Sequence, residues 1–478
     1  MNHPIQAATN SPDGPKNACA PAGIDEAEEG IAPSRQGSFT DALTRAGANL
    51  VLITVLLPYV SPIVLPDMDV QLMALGTSLT VLLVLLVLAP GVFTFGRDDL
   101  IILGFGLLSL VYVNPDIASE NLSATLRACG QIVLAFPVYY AVRNLYRYMS
   151  PRVFVRVVAL YCAVLFLQVL SPSVYASTFA HLLSDARWAA DEGRGPNGLC
   201  TEPSMMGNVC VLFVVSMYFF HREYWKSHKN ATRFIVAASC VMLLITKSGT
   251  GVILALVVAL AALLSSDLSK KTKTVILAAS LLLMGPLGQI LSSSESRSAF
   301  IFTNFAGNPL SLLEDYSLAD RMLGVYVGLD QIPGQPFGSL DVRINPDATN
   351  DALNGDVAMF IWPDSTFRAL LIDLRSLRYD NHGTGAMVER MGIPGALILA
   401  TFLLYPRGFK GKWVVRAFMV GMLLNASLFI STLWFVLGCC IELQRTECPR
   451  RKETVHGLAW ALWNGLLSQS PAKEAEGC

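Results

Sequence analysis

Charge is what this sequence has least of. Only 15% of its 478 residues are Asp, Glu, Lys or Arg, where a water-soluble protein carries about a quarter. The two signs almost cancel, with 35 basic against 36 acidic residues. No net field therefore points toward nucleic acid. Glycine-rich nucleotide loops of the GxxxxGK[ST] or GxGxxG type are missing, which excludes an ATP-driven pump encoded by this chain alone. No repeat of 20–50 residues is present. CxxC pairs and Cys/His metal spacings are missing too. Of ten cysteines, Cys129, Cys162, Cys210, Cys240, Cys439 and Cys440 lie in apolar runs, and Cys19, Cys448 and Cys478 lie in polar stretches. Only Cys200 falls in a long loop. These read as buried or isolated thiols rather than a disulfide framework. Met1 to Thr44 lacks a basic start followed by an apolar core, so it does not read as a signal peptide. Rich in Pro, Gly, Ala, Ser and acids, residues 1–45 read as a disordered cytoplasmic tail.

What the chain does have is length of apolar sequence. Hydrophobic residues make up 53% of it, and its mean hydropathy is +0.49. The apolar runs fall at Ala48–Leu65, Val70–Leu88, Leu100–Val113, Leu126–Val142, Val153–Leu170, Met205–Phe220, Phe234–Thr246, Gly251–Leu264, Val275–Leu291, Ala386–Leu404 and Trp413–Ile441. A membrane span needs about 20 apolar residues, and the shorter runs would recruit their flanks or thin the bilayer. Trp413–Ile441 is long for one span and short for two, so a tight hairpin near Asn425–Ser431 and a single tilted helix are both open. The hairpin keeps the basic tail of Arg445, Arg450, Arg451 and Lys452 on the cytoplasmic side and is the preferred reading. The expectation is an all-α polytopic transmembrane bundle of about 12 segments over residues 46–444. A cytoplasmic tail follows at 445–478.

Lysine and arginine orient it. Arg143, Arg147 and Arg152 form one basic loop. Arg222, Lys226, Lys229 and Arg233 form another, Lys270, Lys271 and Lys273 a third, and Arg407, Lys410 and Lys412 a fourth. These loops alternate correctly with both termini inside. The opposite short loops carry Asp67, Asp69, Asp116 and Glu120, with Lys247 the exception. Two long loops, about 171–204 and 292–385, therefore face outward, and neither contains a lysine.

The outward segments hold the residues suited to chemistry. Gly193-Arg194-Gly195-Pro196-Asn197-Gly198-Leu199-Cys200-Thr201-Glu202-Pro203-Ser204 leads into an apolar helix. Its glycines allow backbone to approach a ligand, Pro203 suits a helix start, and Glu202 lies at the positive helix end. Arg194 is a permanent cation able to grip phosphate through two parallel hydrogen bonds. An ordinary capped helix start would carry the same residues. Ser248-Gly249-Thr250-Gly251 forms a small-residue outward turn. In the second long loop, Arg321 lies on a helical pattern of Leu318, Met322, Val325 and Leu329. His382 precedes the run at Ala386 and has a proton to exchange near neutral pH, though a lone loop histidine is more often merely solvated. Arg127 lies within an apolar run, which marks either function or snorkelling. Asp67-Met68-Asp69 has the form of a divalent-cation ligand pair, and two interfacial acids of no special role would look the same.

In order and membrane placement these elements resemble the O-antigen polymerase and ligase superfamily of bacterial envelope enzymes, across about residues 45–445. The resemblance is carried by Arg194 with Gly198-Leu199-x-x-Glu202-Pro203-Ser204, and by Thr246-x-Ser248-Gly249-Thr250-Gly251. It continues through Arg321 with Pro336-Phe337-Gly338, and His382 with Met391-Gly392-Ile393-Pro394-Gly395. The Glu-Pro-Ser version is closer to exopolysaccharide and capsule polymerases than to ligases. The resemblance implies an inner-membrane glycosyltransferase with a periplasmic site. It would act on undecaprenyl-diphosphate-linked repeat units without metal, nucleotide sugar or other cofactor. Arg194, Arg321 and Arg127 would meet the lipid diphosphate, and His382 or Glu202 would serve as base, with His382 preferred. Membrane lipids and a chain-length regulator are the expected partners, and nucleic acid is not. A ligase acting on lipid A core, a lipid-linked sugar flippase and a metal-dependent sugar transferase using Asp67 and Asp69 are the alternatives.

Overall fold

A computed structural model describes residues 36–61, 71–112, 122–183, 195–220, 222–279, 316–338, 346–376, 383–407, 409, 411–425 and 431–447. Among them every extended element is helical. The one β feature is an isolated antiparallel bridge between Val60 and Leu183. In chain order the helices are α1 (Gln36–Leu56), α2 (Leu72–Leu88), α3 (Arg97–Val111), α4 (Leu122–Leu145), α5 (Pro151–Leu170), α6 (Pro172–Thr178), α7 (Pro203–Ser216), α8 (Arg222–Ser227), α9 (Lys229–Ile245) and α10 (Gly249–Ser265). There follow α11 (Tyr316–Gln331), α12 (Pro346–Leu353), α13 (Asp356–Ile361), α14 (Ser365–Ser376), α15 (Gly383–Met391), α16 (Ile393–Leu404), α17 (Lys412–Asn425) and α18 (Ser431–Glu447). Residues 270–279 are also helical.

The all-α class is as the sequence led us to expect. By length and composition two described helices suffice to cross a membrane, Phe39–Leu56 and Pro151–Leu170. Met73–Leu88, Pro203–Ser216, Gly249–Ser265 and Ile393–Leu404 are apolar but shorter. At about 1.5 Å of rise per residue, α7 reaches roughly 21 Å, less than a hydrocarbon core of about 30 Å.

Three boundaries differ from the sequence reading or refine it. Residues 36–45, assigned to the disordered tail, are the first turns of α1. Extending a helix costs far less than nucleating one, and Thr44 is buried there, its Oγ1 donating to the Thr40 carbonyl at 2.8 Å. The run Trp413–Ile441 is two helices, α17 and α18, ending and restarting at Asn425 and Ser431. Arg143, counted with a solvated basic loop, is instead a fully buried residue of α4.

The contacts sort the inter-helix turns to two ends of one bundle. Gly47 of α1 meets Val81 and Leu85 of α2, so those helices run antiparallel. Trp434, Gly438 and Glu442 of α18 meet Tyr139, Val142 and Arg147 of α4 and the turn after it in rising order, so that pair runs parallel, and Gly207 of α7 meets Gly251 of α10. One end gathers the charged contacts. Arg143 forms a buried ion pair with Asp99, which also accepts from the Tyr139 hydroxyl at 2.9 Å. Arg143 Nη2 donates to the Thr94 carbonyl at 2.9 Å. Arg147 pairs with Glu442 at 2.9 Å and Arg445 with Asp98 at 3.7 Å. At the opposite end two neutral contacts are described: Ser61 N donates to Leu182 O at 2.8 Å, and Ser431 N to Gln71 Oε1 at 2.6 Å. The main core runs through this bundle and includes Tyr161, Phe213, Phe402, Trp434 and Phe435. Outward, the helices expose large apolar side chains such as Leu83, Val87, Val111, Leu170, Leu244, Leu264 and Leu397.

At the neutral end α11 to α14 build a second, smaller core. Ala319, Leu323, Val327, Leu353, Ala358, Trp362 and Leu371 close it, and the Tyr326 and Trp362 rings meet edge-on at 6.3 Å. The buried face of α11 is offset from the expected stripe: Leu329 is exposed while Gly324 and Gly328 are buried. Hydrophobic spacing cannot register a glycine chosen for close approach.

Candidate active site

The loop before α7 is shaped by three neutral side chains. Asn197 is buried, and its Nδ2 donates to the Cys200 carbonyl at 2.6 Å. Its Oδ1 accepts from Gln168 Nε2 of α5, also at 2.6 Å. Gln168 Oε1 in turn accepts from Gly198 N at 2.7 Å. The Tyr175 hydroxyl of α6 donates to the Gly198 carbonyl at 2.6 Å. Burial raises the Tyr175 pKa, with Cys200 a lesser cause, so that hydroxyl remains a donor at physiological pH. Gly198 sits at φ 58°, a left-handed conformation open to glycine at little cost. The buried side chain of Asn197 and the Gly198 and Cys200 backbone thus have fixed partners, which holds the loop in one shape.

That shape delivers Glu202 to the start of α7. Glu202 is extended at φ −138°, Pro203 follows as the first helical residue, and the Glu202 carbonyl accepts from Met205 and Met206 N at 3.1 Å. Its carboxylate accepts from Ser204 Oγ at 3.1 Å and is partly exposed. Cys200, two residues earlier, is fully buried, which raises its thiol well above the usual value. It stays protonated there, which rules out a thiolate nucleophile.

The loop rests on the turn between α9 and α10. A side chain on Gly195 would collide with the Thr246 carbonyl and press on Lys247 N. A side chain on Gly207 or Gly251 would strike the other's backbone. Ser248 caps α10, its Oγ accepting from Gly251 N at 3.0 Å. The starts of α7 and α10 therefore lie side by side, which brings the positive ends of two helix dipoles together.

A second glycine contact joins the other two motif segments. Gly385 of α15 packs directly on Gly324 of α11, and Gly328 on Val388 and Glu389. The numbers rise together, so α11 and α15 run in the same direction. Ile393 N donates to the Pro336 carbonyl at 2.9 Å, and Gly338 at φ 79° and Gly392 at φ 56° seat that turn against the start of α16. Three residues back along α11 from the Gly324–Gly385 crossing stands the backbone of Arg321. The backbone of Arg321 is thus level with the start of α15. α11 and α15 both pack on α17, which packs on α10, and α15 also touches α4.

The expected site residues fall unevenly on this frame. Glu202 is described in full. Arg321 lies on α11 and Arg127 on α4, as helical backbone whose side chains are outside the described set. Arg194 and His382 lie outside the described residues, each one residue from a described segment, at Gly195 and Gly383. Asp67 and Asp69 lie outside them as well, and among the described residues no group of His, Cys, Asp and Glu is arranged to hold a metal. The sequence reading passed over Asn197, Gln168 and Tyr175, which fix the loop. It also passed over Glu389 and Arg390, both buried at the end of α15 and both with polar or charged partners. Two charges in the run Ala386–Leu404 were the available signal.

Comparison with known proteins returned no match: no family model, no curated protein and no solved structure corresponds to this chain.

Proposed function

We propose that the chain is a bundle of about 12 membrane segments with both termini cytoplasmic. On its periplasmic face it polymerises undecaprenyl-diphosphate-linked repeat units of an exopolysaccharide, capsule or O-antigen. The exposed leucines and valines around the helices call for an apolar surrounding, since soluble monomers rarely expose such a belt. The basic turns share the end of the bundle that carries the ion pairs, in keeping with the positive-inside rule.

One juxtaposition carries the enzyme reading. The four motif segments are far apart in sequence, yet they pair through glycine contacts: 195–204 with 246–251, and 321–338 with 383–395. All four lie at the end opposite the ion pairs. That end holds the starts of α7 and α10 and Glu202, and on this reading Arg194, Arg321 and His382 or Glu202 act there. A lipid diphosphate leaving group requires positive charge where its own charge develops, and Arg194, Arg321 and Arg127 are the residues proposed to supply it. The acceptor hydroxyl oxygen attacks the anomeric carbon as the bond to the diphosphate oxygen breaks. The electron pair leaves with the diphosphate, the hydroxyl proton passes to the base, and the configuration inverts. A flippase would need a polar path. The buried charges at the basic end, Asp99 and Arg143, are instead consumed by each other.

The test is polymer formation in a deletion strain. Arg194→Ala and Arg321→Ala should each lower it by about 100-fold or more, with normal amounts of protein in the membrane. Near-normal polymer from both variants would reject the site. Loss of long chains while single repeats still reach the lipid A core marks a polymerase; loss of all attached glycan marks a ligase.

A further inference from the structure

The cations at the basic end do not share one fate. Arg143, Arg147 and Arg445 each meet an acid, in turn Asp99, Glu442 and Asp98. Lys412 and Arg416, in the first two turns of α17, do not. Tyr405, just before that turn of chain, donates to Asp98 at 3.4 Å, which sets the start of α17 at this same end. The Arg416 guanidinium lies 4.7 Å from the centre of the Trp413 ring, and Lys412 Nζ lies 5.9 Å from it. Among the described residues no carboxylate pairs with either cation, and Arg416 Nε is buried without a hydrogen-bond partner. Like charges four residues apart on a helix repel, so two cations gathered at one indole call for an anion between them. The surface that continues from them is apolar. Trp413, Ala417 and Val420 share a face of α17 at helical spacing. Trp413 is 54% and Val420 40% exposed, while Val414, Val415, Phe418 and Met419 are buried on the other side. Gly411, at φ 97°, sets the chain against the Tyr218 ring, which is also exposed. Tyrosine and tryptophan beside lysine and arginine are the residues that collect at headgroup level.

We propose that Lys412, Trp413 and Arg416 bind one anionic phospholipid of the cytoplasmic leaflet, its phosphate held by the two cations and an acyl chain lying along Trp413, Ala417 and Val420. This rests on the bilayer placement proposed above and on nothing in the glycosyl-transfer reading. The apolar stripe decides between a lipid and a soluble anion. Either would neutralise the charge, and only the lipid covers the side chains that follow it down the helix. Arginine holds phosphate with two parallel hydrogen bonds, and lysine adds a point charge on a flexible stem.

The experiment uses the full chain in detergent, titrated with phosphatidylglycerol, phosphatidylcholine and inorganic phosphate, with bound lipid counted by native mass spectrometry. The parent protein should bind one phosphatidylglycerol about tenfold or more tighter than phosphatidylcholine. Lys412→Met and Arg416→Met should each weaken phosphatidylglycerol by about fivefold, the scale of one basic residue at a membrane surface, and leave phosphatidylcholine unchanged. Arg416→Lys keeps the charge and should stay within a few-fold of the parent, which separates lost charge from lost packing. Arg147→Ala removes a cation from the same end that already has an acid partner, and should change nothing. Equal affinity of the parent for the two lipids overturns the proposal. So does a loss in Arg147→Ala as large as in Arg416→Met, which would assign the preference to the overall field of that end. Displacement of the lipid by an equal concentration of inorganic phosphate would assign the cations to a free anion, and overturns it too. Flotation of the chain with phosphatidylcholine vesicles after an alkaline wash tests the bilayer placement by itself. If the chain does not float, that placement and this inference both fall; if it floats but shows no preference for the anionic lipid, only this inference falls.

Discussion

The two ends of the bundle are built from different chemistry. At the basic end, charged side chains hold the helices together: Asp99 with Arg143, Asp98 with Arg445, Glu442 with Arg147. At the other end, glycines let backbones touch and neutral amides and hydroxyls fix the loops, as in Asn197, Gln168 and Tyr175. The contrast separates a cation used as structure from one left in solvent. Arg143 is spent on Asp99 inside the protein. Lys247 stands exposed at the turn between α9 and α10.

Three substitutions would break or sharpen this contrast. The largest effect belongs to Arg143→Met, which strands Asp99 in the core and should cost about 3–5 kcal/mol. Thermal unfolding of the purified protein would register it. Adding Asp99→Asn should recover part of the loss, because the uncompensated charge rather than the missing contact is the main penalty. If Arg143→Met left stability intact, the ion pair would not be what holds that end. Asn197→Ala should cost about 1–3 kcal/mol, by taking from Gln168 Nε2 and the Cys200 carbonyl the partner each has in Asn197. Its polymer yield should fall although no proposed catalytic side chain has been removed. Full activity in that variant would show that the loop does not position Glu202. The smallest effect is expected for Arg147→Ala. Arg147 is 59% exposed against Glu442, and such pairs contribute about 0–1 kcal/mol. A larger loss would mean that the ion pairs at this end act as one network.

Much of the helical frame could be read directly from apolar runs, because burial and helix period leave a strong pattern in sequence. A reversal near Asn425–Ser431 was preferred from where a basic tail must lie, and one described helix ends at Asn425 and the next starts at Ser431. The start of α1 was missed, because Gln36 to Arg45 is too polar for hydropathy and is ordered by continuation of the helix behind it. The pairing of Asp99 with Arg143 spans 44 positions and has no local signature. A basic residue near a loop looks the same whether it is solvated or buried. The glycine interlocks were hidden for a related reason. Gly207, Gly251, Gly324 and Gly385 matter for the side chains they lack, and only the fold shows what a side chain there would strike. At the candidate site the sequence proposed the charged residues, but not the neutral side chains that shape the loop before Glu202.

The central claim is that guanidinium groups from two separate loops serve one diphosphate. Spin labels at positions 194 and 321 of the full chain in nanodiscs would measure it most directly. The account predicts a separation on the order of 15–20 Å, the span of two long side chains around one phosphate pair, with both labels quenched by a reagent confined to the periplasmic face. A separation of several tens of ångströms, or labels reached from opposite faces, would contradict it.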